Sequence, residues 1–343
     1  MSKRPVARLT TPAQMVASLP LSIGYVPTES LVVVCCHEPR GRMGLTIRFD
    51  LPPPGLEGAL VADVVGRVRH QRATRVLIAV YTQDDDGAGR ARASMVHALR
   101  DQFEELVVTE AVLVRDGRFW SYLCDQASCC PSEGTPVDAA RESRPIRLLE
   151  AENVFNGRSL LPDRAALEAT LAAPELQVAE VARQRCEIAA GLLGDAVHEA
   201  GLDVAAAASL SSWAEAITRF HTPPAILADM EAAALAVSLV DTQVRDRVAA
   251  SSNEDLTPLL LLLEELCRRT PPPYDAAVCT LFGWLTYCQG GGALVTIALE
   301  RALASDPEYS LAHLLQNAVH GQVPPQELRR LTRLSRRLER RTG

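Results

Sequence analysis

Lysine is almost absent from this chain: Lys3 is the only one among 35 basic residues, and the rest are arginine. That bias, with the alanine and valine content, points to a GC-rich coding genome, so arginine abundance by itself says little about nucleic-acid binding. Long apolar runs are also missing. Leu259 to Leu263 spans only five residues, and the stretch from Ala225 to Val240 contains Asp229 and Glu231, whereas a membrane-spanning helix needs about 20 apolar residues. No apolar h-region follows Met1-Ser2-Lys3-Arg4-Pro5, so the sequence predicts no signal peptide, no membrane span and a cytoplasmic protein. The recognisable catalytic signatures are lacking too: no G-x-S-x-G elbow, no H-E-x-x-H pair and no kinase set occurs. The seven histidines are scattered along the chain, mostly over segments with helical spacing, and none is given a role.

What is there is an ordinary globular composition, 48% apolar and 22% charged with a net charge of −7. At 343 residues the chain exceeds the roughly 250–300 at which single cores stop growing, so two domains are expected. Charge is unevenly shared. Residues 1–150 are neutral, residues 151–328 carry 10 basic against 23 acidic side chains, and the last 15 carry seven arginines against Glu339.

The pattern of apolar residues gives the two parts different characters. Thr11-Pro12 opens a short helix expected to stop at Pro20. Ser30 to Cys36 is a continuous β-branched run, as in a strand covered on both faces, with the alternating Leu45 to Phe49 as its neighbour. A helix over about 56–70, a strand over 76–81, a helix over about 90–103 and a strand over 108–114 follow. Asp116-Gly117 is a two-residue hairpin signal returning the chain through Phe119 to Leu123. The expected fold is thus an α/β domain over residues 1–150, a mixed and partly parallel sheet with flanking helices, followed by an all-α helical domain over 158–343. The polar stretch 132–158 reads as the boundary. Prolines such as Pro174, Pro258 and Pro307 mark helix starts in the second part. One segment closing at Pro307 is partly tetratricopeptide-like, with Gly283, Ala302, Phe282 and Leu299 on fitting positions and Thr286 and Val295 on unusual ones.

Three places could carry chemistry. Cys124, Cys129 and Cys130 lie within seven residues just past a strand. Thiolates are soft ligands, so zinc is a possible ion, but the usual pairs of cysteines two residues apart are absent, and a fourth ligand would come from Cys35, Cys36 or His37. The alternatives are a reversible disulfide between Cys124 and Cys129 or Cys130, or three thiols packed as small apolar groups. The second place is Asp84-Asp85-Asp86-Gly87-Ala88-Gly89, between a strand and a helix, where Gly87 and Gly89 could offer N–H groups to an anion and the aspartates could hold a cation. The plainer reading is an acidic loop capping a helix. The third is the basic amphipathic end, in which Arg329, Arg330, Arg333, Arg336 and Arg337 coat a leucine stripe. It would meet a partner or fold back on the acidic body, and without an aromatic side chain it is poorly suited to single-stranded nucleic acid.

Two motifs, Thr11-Pro12, Pro20, Gly24-Tyr25-x-Pro27 with Ser30 to Val34, and Trp120-Ser121-Tyr122 with Cys124, Cys129-Cys130-Pro131 and Glu133-Gly134-x-Pro136, resemble those of the actinobacterial family known as domain of unknown function 4192. Gly292-Ala293 and Asp306-Pro307-Glu308-Tyr309 extend the resemblance over most of the chain. It implies an actinobacterial source and transfers no activity. The expected function is therefore a non-catalytic adaptor or regulatory protein that binds a protein partner through its helical domain. The alternative is a metal- or thiol-dependent enzyme, or a small-molecule-binding protein, that uses the Cys124–Cys130 loop and brings it together with the aspartate loop.

Overall fold

The computed structural model describes residues 6–39, 41–85, 90–103, 105–155, 158–222, 224–250, 255–289, 291–325, 327–328 and 330. Contacts divide the chain into two compact units, Met1–Arg164 and Ala165–Gly343.

In the first unit β1 (Ser30–His37), β2 (Arg42–Asp50), β3 (Arg75–Tyr81), β4 (Val107–Arg115), β5 (Arg118–Ser121) and β6 (Thr135–Pro136) form a sheet in the order β2-β1-β3-β4-β5-β6. Among these pairs β3 and β4 run parallel and the rest are antiparallel. The β-branched run of β1 is continuous because both faces are covered. Leu31, Val33 and Cys35 pack with Val64 of α2 (Gly58–His70) and Leu99 of α3 (Ala93–Gln102), while Val32 and Val34 pack with Leu19 of α1 (Pro12–Ile23). That second face also takes in Val137 and Ile146, from the short α4 (Asp138–Arg141) region and α5 (Arg144–Phe155). The Asp116-Gly117 turn has φ of 49° and 71°, the double left-handed pair that a two-residue hairpin requires.

One helix end differs from the sequence expectation. Instead of stopping at Pro20, α1 continues to Ile23, and the Gly24 N–H closes it on the Pro20 carbonyl at 2.8 Å. An internal proline costs about 3 kcal/mol. Leu19 and Leu21, both buried in this turn, each return about 1.5–3 kcal/mol, so packing outweighs the lost hydrogen bond.

The second unit is helical in its described residues: α6 (Arg164–Ala169), which starts one residue before it, α7 (Leu176–Ala200), α8 (Leu202–Phe220), α9 (Asp229–Ser238), α10 (Thr242–Ala249), α11 (Thr257–Arg269), α12 (Asp275–Cys288), α13 (Gly292–Ser305) and α14 (Ser310–His320). Helix α12 is apolar nearly all round and correspondingly buried along its length, the signature of a central helix. At its start Asp275, fully buried, receives Arg301 Nε at 2.9 Å and Ser305 Oγ at 2.5 Å. Trp213 Nε1 donates to Ser238 Oγ at 3.0 Å within the same core. No helix of the described residues is long and apolar enough to cross a membrane.

Candidate functional site

The cysteine loop hangs from the outer hairpin of the sheet. Past β5 the chain keeps its register, with Tyr122 N donating to Ala111 O at 2.8 Å, and the Tyr122 hydroxyl reaches Ala91 O at 2.5 Å. A turn at Gln126 then reverses the backbone. Its carbonyl accepts both Cys129 N at 3.1 Å and Cys130 N at 2.8 Å, which folds residues 129 and 130 back over Cys124. As a result the three sulfurs lie within 4.8 Å of one another, and Cys124 Sγ and Cys129 Sγ approach to 3.1 Å. All three are free thiols.

Their protonation is differentiated. The Cys129 S–H beside it lowers the Cys124 pKa, because that hydrogen bond favours the thiolate. Acting as donor raises Cys129, and burial, followed by its thiol neighbours, pushes Cys130 up to about 12. The first proton to leave the cluster is therefore that of Cys124, and the thiolate is the form in which a cysteine can attack or ligate a metal.

The far end of the loop is locked onto the sheet. Trp120 Nε1 donates to Ser132 O at 2.9 Å, Arg118 Nη1 donates to Gly134 O at 2.8 Å, and Thr135 pairs with Phe119 through β6. Gly134 has φ of 79°, and a Cβ there would lie 2.5 Å from Trp120 Cε2. Gly134→Ala therefore combines a left-handed backbone with a ring clash, and is expected to lower the stability of the sheet unit by about 1–3 kcal/mol. Thermal unfolding followed by Trp120 fluorescence checks this; an unchanged midpoint would contradict it.

Three thiolates on a tetrahedral zinc ion stand roughly 3.8 Å apart, since Zn–S is about 2.3 Å. The observed sulfur triangle meets that spacing with small side-chain shifts, so the donor set fits a soft ion. The proposed extra ligands do not join it. Cys35, Cys36 and His37 are on β1, separated from β5 by β3 and β4, and among the described residues the metal-ligating group holds the three loop cysteines alone. Cys35 is a core residue, its thiol pushed up to about 12 by burial and then by the adjacent Cys36.

The described part of the aspartate loop is engaged by arginines. Asp84 accepts Arg92 Nε at 2.9 Å, and Arg92, 6% exposed in its side chain, also donates to Glu57 at 2.9 Å and Pro52 O at 2.8 Å. Asp85 pairs with Arg115 at 3.1 Å, and Arg115 lies 5.1 Å over the Trp120 ring. These two carboxylates are each paired with an arginine, and among the described residues neither joins the three cysteines in a common group of ligand atoms. Asp86, Gly87 and Gly89 lie outside the described residues. What sequence reading missed is the positioning pair Arg92 and Arg115, isolated arginines whose partners are 8 to 40 residues away in the chain. Of the C-terminal arginines, Arg330 is exposed, and Arg329, Arg333, Arg336 and Arg337 lie outside the described residues.

A family model described as domain of unknown function (DUF4192) matches residues 12–326. No curated protein and no solved structure matches the chain.

Proposed function

We propose, for a chain that belongs to the family described as domain of unknown function (DUF4192), that the sheet unit binds a thiophilic metal ion, zinc foremost, through Cys124, Cys129 and Cys130. The observation that carries this reading is the convergence of three free thiols within 4.8 Å on a loop pinned at both ends. Three protein ligands leave the fourth zinc position open to water or to a further ligand, the arrangement of reactive rather than purely structural sites. Such thiols need a reducing compartment, so a cytoplasmic location belongs to the same proposal. The test is competition with a chromogenic chelator, using the reduced full-length chain. One zinc retained per chain, and lost after oxidation of the thiols, supports the reading. Retention unchanged in the chain with all three cysteines replaced by serine would sink it.

A second reading, in which the helical unit is an adaptor or regulatory module for a protein partner, is favoured by α7. Over its 25 residues only Cys186 and Ala189 are buried, while Val181, Ile188 and Leu192, spaced by seven and four, are 45%, 56% and 61% exposed. That is an apolar stripe on one helical face. The partly tetratricopeptide-like segment of the sequence falls on α12 and α13, which pack against each other as a helical hairpin. A photoreactive residue placed at position 188 is expected to give a discrete cross-linked protein adduct in the source cells. A uniform absence of adducts would remove the reading.

A further inference from the structure

We propose that a cavity at the carboxyl ends of β3 and β4 is a ligand site for a small organic molecule with one anionic group and an apolar body. This site is distinct from the cysteine loop and does not rest on the metal reading. The cavity, about 260 Å³, opens beside the parallel strand pair, where Tyr81, Thr82 and Gln83 leave β3 and Val114 to Gly117 leave β4. Open sheets containing parallel strands place ligands at such carboxyl ends.

The walls divide by chemistry. Val16, Pro20, Pro27, Val114 and Val137 give an apolar lining. Pro20 and Pro27 belong to the amino-terminal motif. Into the same cavity comes Tyr81, 6% exposed, whose hydroxyl is buried and has no hydrogen-bond partner among the described residues. A buried hydroxyl left unpaired costs about 1–3 kcal/mol, and phenylalanine would pack there without that penalty. The hydroxyl is therefore a donor held ready for something that enters.

Arg141 supplies the charge. It lines the cavity, its ion pair with Asp138 is long at 3.8 Å, and its side chain stays about half exposed. It is also close enough to oppose the burial that raises the Tyr81 pKa. A carboxylate seated between the Tyr81 hydroxyl and the Arg141 guanidinium would satisfy both with charge-assisted hydrogen bonds. Of the two acidic wall residues, Glu29 and Asp116, Glu29 already accepts Thr82 Oγ1 at 2.8 Å and Gln83 N at 2.7 Å. Its fixed negative charge disfavours a ligand with a second anionic end. The volume lies below the 300–1,000 Å³ of drug-sized sites, which restricts the occupant to a molecule on the order of ten non-hydrogen atoms.

The experiment is an NMR titration of the full chain with benzoate and hexanoate, with benzamide as the neutral counterpart of benzoate, repeated on Tyr81→Phe and Arg141→Gln. Expected are saturable binding of at least one carboxylate to the wild-type chain and at least tenfold weaker binding of benzamide. Each variant should also bind the carboxylate at least tenfold more weakly. Tyr81→Phe should unfold at the same or a higher temperature, which shows that lost binding is not lost structure. Absence of carboxylate binding to the wild-type chain, or equal binding to the wild-type chain and both variants, would overturn the proposal.

Discussion

Arg301→Met is expected to cost the helical unit about 3–5 kcal/mol, the usual penalty for leaving a buried charge without its partner. Asp275 is fully buried at the start of α12. Arg301 answers it with Nε at 2.9 Å and uses its other nitrogens on the carbonyls of Thr270, at 2.9 Å, and Leu171. Removing the guanidinium leaves one buried carboxylate without its counter-charge, held by Ser305 Oγ alone, and takes the Arg301 donors from two carbonyls at once. For a unit of this size that loss lowers the midpoint by roughly 10 °C, at about 2–4 °C per kcal/mol. Trp213, buried in this unit, reports the transition by fluorescence once Trp120 of the other unit is replaced. Replacing Asp275 by leucine in the Arg301→Met background should recover much of the loss, because the cost lies in the unpaired charge. A fall of under 1 kcal/mol in the single variant would show that the pair is screened by solvent.

The second large effect is at the cysteine loop. Each of Cys124→Ser, Cys129→Ser and Cys130→Ser is expected to weaken zinc binding by at least about tenfold to a hundredfold, since a hydroxyl stays protonated where a thiol ionises. Cys124→Ser should be the most damaging, because Cys124 is the thiol whose pKa its neighbours lower. Affinity should also fall as pH drops, because protons compete with the metal for thiolates. Cys130, pushed up to about 12 by burial and then by its thiol neighbours, must lose its proton on binding, so its share of that dependence persists through the neutral and alkaline range. Chelator competition at several pH values reads both effects; equal affinity in all three variants would contradict them.

Much of the sheet unit was legible because its signals are local. The run Ser30 to Cys36 announced a strand covered on both faces, and Asp116-Gly117 announced the hairpin whose backbone it occupies. The end of α1 was not legible, because Pro20 is a local stop signal overruled by the burial of Leu19 and Leu21. Nor was the packing of Val137 and Ile146 into the sheet core, since they sit in a stretch that looks polar as a whole. Three cysteines in seven residues singled out the loop, but their convergence depends on one carbonyl, Gln126 O, accepting two N–H groups. Sequence spacing could not distinguish that turn from one pointing the sulfurs apart. The partners of the aspartates were not legible either. Adjacent carboxylates carry no sign in the sequence that Arg92 and Arg115, from elsewhere in the chain, pair with Asp84 and Asp85.

Zinc-edge X-ray absorption on the reduced full chain, loaded with one equivalent of zinc, tests the proposed metal centre most directly. The geometry predicts three sulfur scatterers at about 2.3 Å and one lighter neighbour at about 2.0–2.2 Å. A first shell made only of nitrogen and oxygen, or a chain that retains no zinc after desalting, would contradict it.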